Sequence, residues 1–269
     1  MAAHSRAGSV PHPVPKRSIG SYLKWLLVAA LLVASHVWAW RGVEMDLAQV
    51  ARGLPHMRDF LTRSFPPNWA VTQTVAGAAF ETIQIAIIGT SAGAILAFPL
   101  GFLAASNVVP PYVRGAVRTL LNGIRSIPLI FYALFFVSAV GLGPLAGTLA
   151  TILYSVGMLG KFYSEAIETI DPKPVEGILS TGATRIQAIR FGVVPQVMPH
   201  FIAFTLYRFE LNFREGAILG LVGAGGIGFY ITLYIRSFEY HRVATVAVLI
   251  LIMVVAIDVM SSYLRSKVV

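Results

Sequence analysis

The chain alternates between long runs without Asp, Glu, Lys or Arg and shorter segments that are dense in them. Residues 25–40, 82–113, 126–160, 191–207, 216–235 and 243–257 all lack those four residue types. A bilayer core takes about 20 mainly apolar residues per crossing helix, so these runs are candidate crossings. The run 126–160 is too long for one helix, and Gly141-Leu142-Gly143-Pro144 cuts it with turn chemistry. Each resulting helix must extend past the run to cross, which takes Arg125 into one and Lys161 with Glu165 into the other. The run that begins at Phe191 joins part of the next across four charged residues. Six spans follow, at about 23–40, 73–105, 118–140, 145–168, 199–222 and 243–264, and the predicted fold class is an all-α integral membrane protein.

The polar segments between the runs carry their own patterns. Residues 1–22 read as a tail. Residues 41–72 are too polar to cross, yet Leu47, Val50, Ala51 and Leu54 share one helical face. That face predicts a helix lying on the outer membrane surface, anchored by Phe60, Phe65 and Trp69, and a loop packed on the spans fits the same residues. The basic flank, apolar run and small residues near Ala34-Ser35 also fit a cleaved signal peptide, whereas Trp38 and Trp40 favour a retained interfacial anchor.

Residues 174–196, PVEGILSTGATRIQAIRFGVVPQ, form a polar stretch in a greasy setting. Pro174 suits a first helical turn, and Gly182 suits the left-handed residue that ends a helix. Thr184 with Gln187 makes a capping box, and Pro195 closes a second short helix. Two capped short helices with a break predict a stiff elbow shaped for contact with a partner.

Composition agrees with the pattern. The 269 residues are 56% hydrophobic and 12% charged with mean hydropathy +0.73, whereas soluble domains carry roughly a quarter charged residues. The net charge of +9 comes from 21 basic and 12 acidic residues. Nucleic acid is not the predicted partner, because lysines and arginines that flank spans on the cytoplasmic side produce the same excess. With both termini inside, 13 basic residues fall on the inner side and 6 on the outer, which sets the elbow in the cytoplasm. The absence of cysteine excludes disulfides, thiolate metal sites and cysteine nucleophiles, and six scattered histidines predict no metal site.

Two stretches carry candidate chemistry. GAGGIG at 223–228 formally matches a dinucleotide fingerprint, but it lies among membrane spans, and the nearest acids, Glu239 and Asp258, are misplaced for a ribose. Gly223, Gly225, Gly226 and Gly228 read instead as close helix packing or as an unwound gate. No G-x-x-x-x-G-K-[ST] occurs, so this chain has no ATP site of that kind and ATP would be bound elsewhere. YRFELNFREG at 207–216 then places Arg208, Glu210, Asn212, Arg214 and Glu215 at a depth where charge is expensive. Glu210 and Arg214 are i,i+4 neighbours, while Arg208, Asn212 and Glu215 share a second face. Two readings stand side by side: ion pairs that hold helices together, or a polar lining for a charged solute with Arg214 as its strongest contact. Glu81 and the Lys161/Glu165 pair are further candidates for buried charge.

Glu176, Gly182 and Pro195 fall at the spacing of the signature loop of bacterial ABC-transporter permeases, with Gly177-Ile178, Gly192 and Val194 departing from its usual residues. FETIQIAIIGT (80–90), RSIPLIFYALFFVSAVGLGPLAG (125–147), GMLGKFYSEAIE (157–168) and YRFELNFREGAILGLVGAGGIG (207–228) resemble the permease subunit of phosphonate ABC importers. The resemblance covers roughly residues 70–265. It implies a type I importer permease fold, related to methionine and maltose permeases, in a bacterial inner membrane. It also implies a second permease chain as a homodimer, a cytoplasmic ATPase dimer that binds ATP and magnesium, and a periplasmic phosphonate- or phosphate-binding protein. Glu176, Gly182, Thr184, Arg185, Gln187, Arg190 and Pro195 would form the ATPase-coupling segment. Arg208, Asn212, Arg214, Glu215 and Glu81 would line the path of an oxyanion. Three alternatives stay open: a methionine-type permease, a secondary transporter using Glu81, Glu210 and Glu215, and a membrane enzyme, for which no paired-carboxylate constellation is visible.

Overall fold

The computed structural model describes residues 19–267, so most of the expected tail at 1–22 lies outside the described residues. The chain divides into two compact units, one ending at Asp59 and one beginning at Phe60. In the first, α1 (Ile19–Gly42) is apolar and long enough to cross a membrane. Asp46 opens α2 (Leu47–Ser64) by accepting from Ala48 N at 2.8 Å and from Arg52 Nη2 at 2.9 Å. The helix expected between the first two spans is therefore present, with Leu47, Val50 and Leu54 all exposed.

The second unit contains α3 (Thr72–Ala104), α4 (Pro111–Ser126), α5 (Leu129–Val140), α6 (Pro144–Glu168), α7 (Pro172–Ser180), α8 (Arg185–Ala188), α9 (Val194–Leu219), α10 (Gly228–Arg236) and α11 (Tyr240–Arg265). Among the described residues, five helical segments, α1, α3, α6, α9 with its flanking turns, and α11, are long and apolar enough to cross. The expected span at 118–140 is not one helix: α4 and α5 meet at an 85° bend. Pro128 causes the break, because its ring pushes the preceding residue out of the helical region, and Ile127 sits at φ −94°, ψ 122°. With 12 residues, α5 is about 18 Å long and too short to cross alone.

The centre of this unit is the contact between α3 and α6. Gly89 faces Thr151, Gly93 faces Ser155 and Gly101 faces Tyr163, a constant offset that makes the two helices parallel. A Cβ at Gly93 or Gly101 would stand 2.6 Å from the facing Cβ, so only glycine permits this approach. In lipid the apolar effect between helices is absent, and such close backbone packing supplies much of the association. Antiparallel to this pair runs α9, with Asn212 against Thr90 and Thr205 against Tyr163. Along α11 the sequence runs opposite to α9, since Arg265 reaches Glu210 and Asp258 reaches Arg214. Within this unit α3, α6 and α11 therefore run one way and α9 the other.

Candidate functional site

The residues singled out in the sequence fall at three separate places: an elbow at one end of the bundle, a charged cluster within it, and a glycine turn at the other end.

At the elbow, Asp171 caps α7 by accepting from Lys173 N at 3.0 Å, so the helix starts at Pro172 and Pro174 lies in its first turn, as expected. Gly182 ends it in the left-handed region at φ 85°. Thr184 Oγ1 accepts from Gln187 N at 3.4 Å while Gln187 Oε1 accepts from Thr184 N at 2.8 Å, which is the expected capping box. Pro195, however, does not close the second helix. α8 passes through a π turn at Ile189–Val193 straight into α9, whose first turn contains Pro195. Gln196 fixes this junction: its Nε2 donates to Gly192 O at 2.6 Å, and its Oε1 accepts from Asp171 N at 3.1 Å. Glu176, Arg185 and Arg190 are exposed beside Leu179, Ile186 and Phe191, and Ile186 is 79% exposed. An apolar and basic surface of this kind, on two braced helices, is suited to a protein partner. The inner side of the elbow borders a cavity of about 590 Å³ lined by Asn107, Glu168, Glu176, Leu179 and Arg185.

Within the bundle the charges of α9 divide between two faces, as their spacing requires. Arg208 is 1% exposed, its Nη2 donating to Glu215 Oε2 at 2.6 Å and its guanidinium lying 4.7 Å from the centre of the Tyr154 ring. Asn212, also 1% exposed, donates from Nδ2 to Thr90 Oγ1 at 2.7 Å and to Ser155 Oγ at 3.0 Å. Ser155 also faces Arg208 Nε at 3.4 Å, so one polar network ties α3, α6 and α9. Asn212 Oδ1 is buried without a partner.

On the other face, buried Glu210 lies between Arg214 Nη2 at 2.6 Å and Arg265 Nη2 at 3.2 Å, with Asp258 a further 3.7 Å contact of Arg214. The Arg214 side chain is 47% exposed and so retains open surface that Arg208 does not. Lys161 and Glu165 pair at 3.0 Å, but Glu165 is 52% exposed rather than buried. Thr90, Ser155, Tyr154, Asp258 and Arg265 complete these clusters and escape sequence reading, because a lone hydroxyl or a terminal arginine carries no motif.

At the far end from the elbow, α9 unwinds through Gly220–Val222 into the glycine turn. Gly223, Gly225 and Gly226 all have positive φ, and the backbones of Gly220 and Gly228 approach so closely that neither admits a Cβ. Gly143 N donates to Gly223 O at 2.9 Å, Gly226 N to Glu81 Oε1 at 2.7 Å, and Ile227 N to Thr82 Oγ1 at 2.9 Å. Glu81 thus meets the glycine turn, and not the charged cluster of α9.

Comparison with known proteins places this geometry. Residues 97–269 match the family described as binding-protein-dependent transport system inner membrane component. The putative phosphite transport system permease protein HtxC of Stutzerimonas stutzeri is 37% identical over 251 residues, covering 93% of this chain and 89% of the relative. The phosphite transport system permease protein PtxC of the same organism is 40% identical over 222 residues, covering 82% and 81%. Among solved structures, an inward-facing form of the MetNI methionine ABC transporter superposes with TM-score 0.66 at 20% identity, covering 75% of this chain and 99% of that chain. The fold is that of type I ABC-importer permeases, and the chain belongs to the family of binding-protein-dependent transport system inner membrane components.

Proposed function

We propose that this chain is the membrane-spanning subunit of an ATP-driven importer for phosphite, phosphonate or phosphate, with ATP hydrolysed by a separate ATPase subunit. The observation that carries this is the elbow: a braced, exposed, partner-shaped pair of short helices at the signature-loop spacing. The named activities of the phosphite permeases, at 37% and 40% identity over most of their length, support the solute class. Two such chains form the pathway, a homodimer, because each presents one elbow and an ATPase dimer offers two grooves. Both termini and the elbow face the cytoplasm, and a periplasmic binding protein delivers the solute from the other side.

In this reading the elbow transmits force because it is stiff. The capping box and the Asp171 cap stiffen the two short helices and the Gln196 brace ties them to the start of α9, so ATPase closure displaces that end of α9 with the elbow. The two arginines of α9 have different tasks. Arg208 holds α6 to α9, since Glu215 neutralises it within α9 while its guanidinium reaches Ser155, Met158 and the Tyr154 ring on α6. Arg214 is the solute contact, because its guanidinium keeps open surface and pairs well with tetrahedral oxyanions.

The test is copurification of the co-encoded ATPase with the native chain and with one in which residues 176–190 are scrambled. Loss of the ATPase from a chain that still inserts and folds supports the reading. Equal recovery of ATPase from both contradicts it.

A further inference from the structure

The glycine turn and its attachment to α3 are not used by the elbow or by the charges of α9. We infer that Glu81 is a positioning residue that pins the glycine turn and the start of α10 onto α3, and that its release opens this end of the pathway. The inference rests on the transport reading and adds to it the residue that holds the end opposite the elbow shut.

Three observations lead there. First, Glu81 Oε1 accepts from Gly226 N at 2.7 Å, and the neighbouring Thr82 Oγ1 accepts from Ile227 N at 2.9 Å. Consecutive side chains of α3 thereby take consecutive backbone N–H groups at the entry to α10, where a helix leaves its first donors unpaired and favours negative charge. Second, these are the contacts a glycine-only backbone permits. Gly225 and Gly226 have φ 84° and 80°, and a Cβ on Gly226 would stand 2.6 Å from Thr82 Oγ1. Third, Glu81 borders a cavity of about 490 Å³ between the glycine turn and the Gly143-Pro144 turn, and no ion pair to it is present among the described residues. Among the described residues Glu81 makes one hydrogen bond and no ion pair, so its hold on the turn rests on a single contact, unlike that of the doubly paired Glu210.

The chain has no cysteine, so one introduced thiol reports directly on the turn. Ile227 is 1% exposed and larger than cysteine, so Ile227→Cys is silent to a membrane-impermeant thiol reagent while the turn is seated. The complex with its ATPase is labelled in sealed proteoliposomes, comparing the reporter alone with the reporter plus Glu81→Gln, Glu81→Ala or Thr82→Val. Glu81→Ala should label about tenfold faster, the factor implied by losing one hydrogen bond to a charged group. Glu81→Gln, which keeps an acceptor oxygen but loses the charge, should label between the native and Glu81→Ala rates, as should Thr82→Val. Equal labelling of all four overturns the inference, as does Glu81→Gln labelling as fast as Glu81→Ala. If Glu81→Ala does not assemble, an unchanged rate in Thr82→Val overturns it and a raised one supports it. The readout needs no transported solute, so its failure leaves the transport reading intact, and loss of uptake would not by itself touch the inference.

Discussion

Arg208 and Glu215, two helical turns apart on α9, are joined at 2.6 Å with the arginine side chain 1% exposed. Removing one partner of a buried pair strands the other, at a cost of about 3–5 kcal/mol. Glu215→Gln is therefore expected to lower the unfolding midpoint of the detergent-solubilised chain strongly. The double variant Arg208→Met with Glu215→Gln, which removes the buried charge, should recover most of the loss. Thermal unfolding followed by fluorescence-detected gel filtration measures both.

Gly93 packs against Ser155 with no room for a side chain. Gly93→Val should destabilise the chain by roughly 1–3 kcal/mol through overpacking between α3 and α6. Gly77, on the same helix with open space around it, is the control, and Gly77→Ala should be close to neutral. Folded yield and unfolding midpoint of the two variants decide the matter.

Arg214 keeps a half-exposed guanidinium between Glu210 and Asp258. Arg214→Ala is expected to abolish solute uptake while leaving ATPase assembly intact. Normal uptake by that variant would make the cluster a set of helix ties.

Thr184 holds the α8 cap. Thr184→Ala should cost about 1 kcal/mol of local helix stability. The expected consequence is a lower ratio of solute transported to ATP hydrolysed, with the ATPase still bound. An unchanged ratio would mean that the elbow tolerates a looser second helix.

Much of this arrangement is legible in the sequence because it rests on strong local signals. Charge-free runs locate the helices α1, α3, α6 and α11 within a few residues, and Gly182, Thr184 and Gln187 locate the elbow through backbone chemistry that depends on nothing distant. The break at Pro128 was also in plain view as a residue type, yet the uninterrupted apolar character on both sides concealed an 85° bend. Pro195 is ambiguous locally, since proline both follows one helix and opens the next, and only the π turn before it shows which. The partners of Arg208, Asn212 and Glu81 lie more than 50 positions away for Ser155, Thr90 and Gly226, so no spacing rule reaches them. The α3 glycines at 89, 93 and 101 do form a readable stripe, and their meaning becomes plain only once α6 is seen against them.

The most direct measurement of the central claim is uptake of labelled phosphite, phosphate and an alkyl phosphonate into sealed proteoliposomes. These hold the chain with its co-encoded ATPase and binding protein, and each solute is followed with and without ATP. Concentrative uptake of at least one of the three oxyanions, dependent on both ATP and the binding protein, is the predicted result. Uptake that proceeds equally without ATP, or no uptake of any of the three by an ATPase-active complex, would contradict it.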